Sequence, residues 1–196
     1  MAITLRQGEL LDHALLLARE VGLAGLTVRR LAERVGFSEA ALYRHFPTKQ
    51  ALLLAMVERL SEERLLAPLR ALAAQGERPP AERLTAIVEH HVRAVLAVDG
   101  LPVLILAEAA AAGDEALLAR FRLIFAETLG LLEGLLAEVP ATPGRPSPRA
   151  LALALFGVAA AAALHHRLFG DAAFEREAAQ ALPAFLVGRI FGETPA

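Results

Sequence analysis

Two short helical patterns separated only by Gly36 and Phe37 constrain the fold of this chain more than any other feature. The first pattern, TVRRLAERVG at residues 27–36, begins with a threonine N-cap and ends at a glycine, which favours a left-handed C-terminal cap. The second pattern, SEAALYRHF at residues 38–46, begins with a serine N-cap and is closed by Pro47. So short a glycine-containing turn between two helices is typical of a helix-turn-helix.

Helical periodicity predicts which side chains of the second pattern face outward. At about 100° per residue, Leu42 and Phe46 share one face, and Arg44 lies on the opposite face between Tyr43 and His45. The predicted packing partners of the inner face are Leu31, Val35 and Phe37. In helix-turn-helix proteins the second helix enters the DNA major groove, where an arginine reaches guanine or phosphate and tyrosine or histidine donates to phosphate oxygens.

The basic residues are concentrated near this motif. Residues 1–50 contain seven Lys/Arg and five Asp/Glu, although the whole chain has a net charge of −2. Lys49 is the only lysine in the chain. The predicted helices that begin at Thr27 and Thr48 have no acidic residue in their first turn, which leaves their N-terminal N–H groups available for an anion.

The remaining residues predict further helices and no strands. Alanine and leucine dominate the 56% hydrophobic content, and both favour helix. Glycine and proline divide the chain into about nine helices, with loops at residues 75–80 and 140–148 and two final helices at about 149–168 and 172–191. We therefore predict an all-α protein with a DNA-binding domain at residues 1–48 and a helical bundle at residues 49–196.

Several classes of protein are disfavoured by the sequence. The chain has no cysteine, no glycine-rich phosphate loop, no G-x-S-x-G elbow and no H-E-x-x-H motif, so an enzyme is not expected. The adjacent pairs His90-His91 and His165-His166 point about 100° apart on a helix, so we expect no metal site. The longest apolar run has fifteen residues, at 150–164, which is shorter than a membrane span. We expect a cytoplasmic protein with no membrane contact.

The segment LTVRRLAERVGFSEAALYRHFPTKQALL resembles the DNA-binding domain of the TetR family of transcriptional regulators. The resemblance covers about residues 8–60. It implies a three-helix DNA-binding unit joined by helix four to a regulatory and dimerisation bundle. By position it assigns phosphate contacts to Thr27, Tyr43, His45 and Lys49, base contacts to Arg29, Glu39, Ala40, Ala41 and Arg44, and additional backbone contacts to Arg30 and Ser38.

The resemblance also implies a repressor that an effector releases from a palindromic operator on double-stranded DNA. We expect no cofactor. The last two helices are unusually apolar, and we expect them to form a homodimer. The expected effector is a hydrophobic small molecule, and molecules with a long aliphatic portion belong to this class. The predicted effector-lining residues are Met56, Leu60, Leu101, Leu104, Phe121, Phe125 and Phe156. Arg93, Glu108 and Glu127 are candidate anchors for a polar head group. Alternative hypotheses are a ligand-independent or nucleoid-associated regulator and a helical lipid carrier.

Overall fold

The computed structural model describes residues 5–140 and 143–192, and every regular element in those ranges is a helix. Within these described residues the all-α prediction is confirmed, with nine helices when adjoining segments are joined. They are α1 Leu5–Gly25, α2 Val28–Val35, α3 Glu39–His45, α4 (segments Lys49–Ser61, Glu62–Leu66 and Ala67–Ala73), α5 Pro80–Leu96, α6 Leu101–Ala112, α7 Glu115–Ala137, α8 Pro148–Phe169 and α9 (segments α9a Ala172–Ala179 and α9b Ala181–Phe191).

The helix ends follow from capping residues that the sequence already indicates. Gly36 ends α2 in the left-handed region at φ +71°, and its N–H donates to the Ala32 carbonyl. Gly22 has φ +72° and kinks α1, so the helix predicted to stop there continues irregularly to Gly25. Asp114 begins α7 by accepting a hydrogen bond from the Leu117 N–H at 3.1 Å. Glycine and acidic caps thus place the breaks between helices.

Two prolines alter the helices that contain them, because proline has no N–H and clashes with the carbonyl four residues earlier. Pro68 follows the π-helical segment Glu62–Leu66 and cannot donate to the Arg64 carbonyl. His90 Nε2 lies 2.8 Å from that oxygen and supplies the missing donor. Pro183 similarly interrupts α9 at Gln180, where φ is −132° and ψ is −67°. The prediction of an unbroken last helix is therefore wrong at Gln180.

The chain divides into two compact units. The first combines the described residues up to Leu60 with Leu101–Phe121, and the second combines Ser61–Gly100 with the described residues from Arg122 onward. In the first unit, α2 packs against α1 and α3, and α6 packs against α1. The domain boundary predicted after residue 48 stays a prediction.

The core of the second unit lies between α4, α5, α7, α8 and α9b. Its buried side chains include Leu69, Ile87, Leu136, Leu155 and Val187. By length and composition α8 is also apolar enough to cross a membrane, since its 22 residues contain a window with mean hydropathy 1.5, of which 28% is buried. Much of α8 therefore presents apolar side chains outside the core of this unit.

Candidate nucleic-acid interface

Helix α3 is fixed by the apolar face that the sequence predicts. Leu42 is fully buried, Phe46 is 3% exposed, and Leu31 of the adjoining α2 is fully buried. Val35 and Phe37 are half-buried. The opposite side of α3 is consequently open to solvent, which confirms the predicted division of its faces.

The sequence-predicted contact residues lie mostly on the exposed surface. Nine of them are exposed: Thr27, Arg29, Arg30, Ser38, Glu39, Ala40, Tyr43, Arg44 and His45. Ala41 and Lys49 are half-buried. A surface groove of about 360 Å³ is lined by Gly36, Phe37, Ser38, Ala41, Arg44 and His45. The fold thus brings Ser38, Ala41, Arg44 and His45 together beside the turn between α2 and α3.

Three hydroxyl groups cap the helices of this motif. Thr27 Oγ1 accepts from the Arg30 N–H at 3.1 Å, and Ser38 Oγ accepts from the Ala41 N–H at 3.2 Å. Thr48 Oγ1 accepts from the third N–H group after it, at 3.0 Å. All three predicted N-caps are confirmed. Because a hydroxyl group both accepts and donates, each cap retains an O–H donor for an anion.

Arg29 and Glu39, both predicted to face bases, are electrostatically paired. Arg29 Nε lies 3.1 Å from Glu33 Oε1 and 3.5 Å from Glu39 Oε1. The hydrogen bond to Glu33 raises the pKa of Arg29, and the charge of Glu39 contributes in the same direction. These carboxylates offset part of the positive charge that Arg29 presents to the surface.

Lys49 has a partner that sequence reasoning did not place at this site. Its Nζ lies 2.7 Å from Glu108 Oε1 on α6, and the two side chains are 26% and 38% exposed. The residues are 59 positions apart, so no local pattern predicts the pair. Glu108, considered from the sequence as an effector anchor, instead lies beside the lysine predicted to bind phosphate.

Two other arginines hold the helices that support the motif. Arg34 of α2 makes two hydrogen bonds to the Glu20 carboxylate of α1, at 2.5 and 2.9 Å. Arg59 of α4 lies 2.9 Å from Asp12 Oδ1 and also donates to the Gly8 carbonyl. These bonds join α1 to α2 and to α4, and so fix the frame that carries α3.

Comparisons with known proteins agree with this geometry. Residues 10–56 match the model described as "Bacterial regulatory proteins, tetR family". The Escherichia coli tetracycline repressor protein class C is 50% identical over 54 residues, which are 28% of this chain and 25% of that repressor. The nucleoid occlusion factor SlmA of Haemophilus ducreyi is 43% identical over 58 residues, 29% of each protein. The chain thus matches only about a quarter of these relatives' length.

A solved structure extends the likeness over the whole fold. The transcriptional regulator FadR of Bacillus subtilis, solved in complex with stearoyl-CoA, superposes with a TM-score of 0.72 over 96% of this chain and 99% of that chain, at 16% identity. At this identity the superposition shows a shared fold. Residues 10–56 thus match the TetR family, and the chain shares the all-α fold of TetR-type regulators. The proteins that this family model describes are regulatory proteins.

The residues predicted to line an effector cavity are distributed over both compact units. Met56, Leu60, Leu101, Leu104 and Phe121 belong to the first unit, and Phe125 and Phe156 belong to the second. Within the second unit the Phe125 and Phe156 rings are in edge contact, with centroids 4.5 Å apart. The assignment of these seven residues to one cavity stays a prediction.

The polar residues considered as effector anchors are engaged in ion pairs. Glu127 lies 2.5 Å from Arg70, and Arg93 lies 3.3 Å from Glu89. For the pair His90-His91 the sequence predicts one ring inside and one outside, and the inner ring is that of His91, which is 6% exposed with its ring centroid 4.9 Å from that of Phe156. The only sequence signal for the inner ring was its place on the apolar face of α5.

Proposed function

We propose that the chain is a sequence-specific transcriptional repressor that binds double-stranded DNA as a dimer and is released by a hydrophobic effector. The observation that carries this proposal is the exposed cluster Tyr43, Arg44 and His45 on α3, which is anchored from behind by buried Leu42 and Phe46. Such a helix has its polar side chains directed outward on a rigid support, as reading of the major groove requires. The protein would act in the cytoplasm, where its DNA lies.

The residues divide by chemistry into those that position the protein and those that read sequence. Hydroxyl, imidazole and ammonium donors suit phosphate oxygens, and we assign this role to Thr27, Tyr43, His45 and Lys49, with Arg30 and Ser38 as additional backbone contacts. Arg29 and Arg44 suit guanine, Glu39 suits cytosine N4, and Ala40 and Ala41 suit thymine methyl groups. Few of these base contacts are strong, so DNA shape contributes to specificity.

The dimer in this proposal is formed by α8 and α9b. Leu153, Leu164 and Leu168 lie on one face of α8 and are 53%, 52% and 73% exposed. Gly157 and Ala161 lie between them on the same face, and small residues allow a second helix to approach closely. Phe185 of α9b is 51% exposed. A self-complementary contact of this kind gives a two-fold dimer, which matches a palindromic DNA site.

The effector is proposed to be hydrophobic because the side chains predicted to contact it are mainly leucine and phenylalanine. A protein of the same fold, FadR, was solved with stearoyl-CoA, which has a long aliphatic portion. An effector weakens DNA binding only if it binds the DNA-free conformation more tightly than the DNA-bound one. Effector and operator are therefore expected to oppose each other reciprocally.

A second candidate, a nucleoid-associated regulator, is favoured by the similarity of the DNA-binding region to SlmA. The two candidates differ in the distribution of sites. A repressor occupies a few operators beside the genes it controls, whereas a nucleoid-associated protein occupies many sites across the chromosome. Mapping the occupied sites in cells, together with the transcripts that change on deletion, separates the two.

The primary test is selection of duplexes from random DNA by the purified chain, followed by measurement of affinity against salt concentration. We expect an inverted repeat with half-sites about one helical turn apart. Arg29→Ala should weaken binding to that duplex. Arg93→Ala is the matched control, because it also removes an exposed arginine from an i,i+4 pair with glutamate, on α5. Absence of any enriched sequence, with weak binding at low salt, would favour the lipid carrier.

Adding stearoyl-CoA to the selected complex tests the effector class, with coenzyme A as the control for its polar part. Release by stearoyl-CoA alone supports a hydrophobic effector with a long aliphatic portion. Release by both compounds indicates recognition of the nucleotide portion instead. If neither compound releases DNA, extraction of bound lipids from the purified protein is the next measurement, and an unchanged affinity with every bound compound refutes effector control.

The dimer is tested by the double variant Leu164→Glu, Leu168→Glu in analytical ultracentrifugation. Burial of two carboxylates opposes association, so this variant should be monomeric and bind the palindrome weakly. Leu123→Glu on α7 is the control, since Leu123 is 63% exposed and lies outside the proposed contact. A double variant that remains dimeric would refute the assignment of the dimer contact to α8. Flotation of the wild-type chain with lipid vesicles, if the double variant does not float, would also refute it, because α8 would then bind lipid.

A further inference from the structure

Glu108 and Lys49 form an ion pair between helices that are distant in sequence. Glu108 is the only charged residue of α6, whose sequence LPVLILAEAAAA is otherwise apolar or proline. Lys49 is the only lysine of the chain and the first residue of α4. Their side chains meet at 2.7 Å inside the first compact unit. The single charged side chain of α6, Glu108, is therefore paired with Lys49, a residue assigned to phosphate binding.

The chemistry of this pair is the chemistry of a phosphate contact. A carboxylate and a phosphate both present anionic oxygens to the same ammonium group, which has three N–H donors. While Glu108 holds Lys49, one donor is occupied and the charge offered to DNA is largely neutralised. A phosphate that approaches Lys49 also meets the negative charge of Glu108. The carboxylate thus opposes the contact that the ammonium group would make.

We propose that Glu108 is an intramolecular competitor for Lys49, so that docking of Lys49 on the DNA backbone requires the ion pair to open or to be shared. This inference rests on the proposed function, because it takes Lys49 to be a phosphate ligand. Glu108 then limits the affinity for DNA, and DNA in turn weakens the hold of α4 on α6, since linkage between two sites is reciprocal.

The test is a double-mutant cycle on the operator duplex recovered by selection, measured at about 50 mM salt. Glu108→Gln preserves the shape of the side chain and removes its charge. Since partly exposed ion pairs are worth about 0.2–1 kcal/mol, we expect this variant to bind DNA up to about fivefold more tightly per subunit, and so up to about 25-fold more tightly for a dimer that makes the contact twice. Lys49→Gln should cost more affinity in the Glu108→Gln background than in the wild-type background. A scrambled duplex should show the same ratio, because phosphate contacts carry no sequence information.

The control for loss of any one negative charge is Glu89→Gln. Glu89 also pairs with a basic residue, Arg93, and its side chain is 26% exposed, but it lies on α5 in the second unit. We expect little change in DNA affinity for this variant. Equal tightening by Glu89→Gln and Glu108→Gln would show a general charge effect and overturn the proposal. Weaker or unchanged binding by Glu108→Gln would also overturn it.

A second measurement reads the ion pair directly. Because the chain has a single lysine, 15N-lysine labelling gives one side-chain ammonium signal by NMR. In DNA-free protein that signal should move on Glu108→Gln, and in wild-type protein it should move on addition of the duplex. If the Lys49 ammonium signal of the wild-type protein does not move when the duplex is added, the inference is overturned. If Arg44→Ala weakens DNA binding while both Glu108 tests fail, only this inference is refuted. If the wild-type chain selects no duplex, both this inference and the proposed function are refuted.

Discussion

The buried imidazole of His91 makes a quantitative prediction about stability and pH. His91 is 6% exposed, and its ring packs on Phe156 within the second unit. Burial lowers the pKa of His91 to about 4, and the neighbouring charge of His90 adds a smaller effect in the same direction. The side chain is therefore neutral in the folded protein at pH 7, and protonation must be accompanied by a loss of stability.

The magnitude follows from the difference between the folded and unfolded pKa values. The folded value of about 4 lies below the value of about 6.5 expected for an unfolded chain. The contribution of His91 to stability is thus fully present above pH 6.5 and is lost as the pH falls through 4. Relative to pH 7, linkage gives a loss of about 2 kcal/mol at pH 5 and about 3 kcal/mol at pH 4.

The assay is urea unfolding of the wild-type chain and of His91→Gln between pH 7 and pH 4, at one protein concentration because the proposed association of subunits would contribute to stability. The difference between the two proteins cancels the titration of carboxylates that both share. We expect the unfolding free energy of the wild type, relative to His91→Gln, to fall by about 2 kcal/mol from pH 7 to pH 5. His13→Gln removes an exposed imidazole and is the control.

Two outcomes would refute this reasoning. The first is a difference between wild type and His91→Gln that stays constant within about 0.5 kcal/mol from pH 7 to pH 5, where linkage requires about 2 kcal/mol. The second is an NMR titration in which the His91 ring protons change near the pH typical of an exposed imidazole. Either result would mean that the ring reaches water in solution or finds a partner for its charged form.

Further predictions concern the core and two polar contacts. Leu42→Ala, at a fully buried position, should cost about 2–5 kcal/mol in urea unfolding, and a cost below about 1 kcal/mol would contradict the packing of α3. Arg83→Met should cost about 1–3 kcal/mol because it leaves the Ala73 and Arg78 carbonyls without the donors that Arg83 supplies. Glu138→Ala should cost more than about 1 kcal/mol because it leaves the guanidinium of Arg83, whose side chain is 8% exposed, without its carboxylate; a cost below about 0.5 kcal/mol for either variant would refute this reasoning. His90→Phe should cost about 0.5–1.5 kcal/mol by removing the hydrogen bond to an exposed carbonyl of α4, and less in a Pro68→Ala background that restores a backbone N–H.

The local features of the DNA-binding motif could be predicted from the sequence because they depend on neighbours within four residues. Thr27 and Ser38 act as N-caps, Gly36 takes the left-handed conformation, and Leu42 is buried. Each is determined by the capping chemistry or the helical period of its own segment. The same rules place Arg44 on the exposed face of α3.

Features that depend on packing between distant segments could not be predicted. Helical periodicity does not predict the ion pair between Glu108 and Lys49, which are 59 positions apart in the sequence. It also does not predict that the carboxylate of Glu39 lies next to Arg29. It places His90 and His91 about 100° apart, but the identity of the buried ring depends on where Phe156 lies. Tertiary contacts decide these points, and they also decide how much charge the DNA-facing surface retains.

The limited positive charge of this surface bears on how the chain would discriminate among DNA sequences. Arg29, Arg34 and Lys49 each hold a carboxylate within 3.1 Å, and the whole chain has a net charge of −2. Sequence-independent affinity comes almost entirely from neutralising phosphates, so a surface with many internally paired cations binds random DNA weakly. Two heads joined by α8 and α9b would add their base contacts without adding much of this background. In the proposed dimer, low charge and dimerisation together would favour a high ratio of specific to non-specific binding, and the apolar face of α8 would be as necessary for operator recognition as α3 itself.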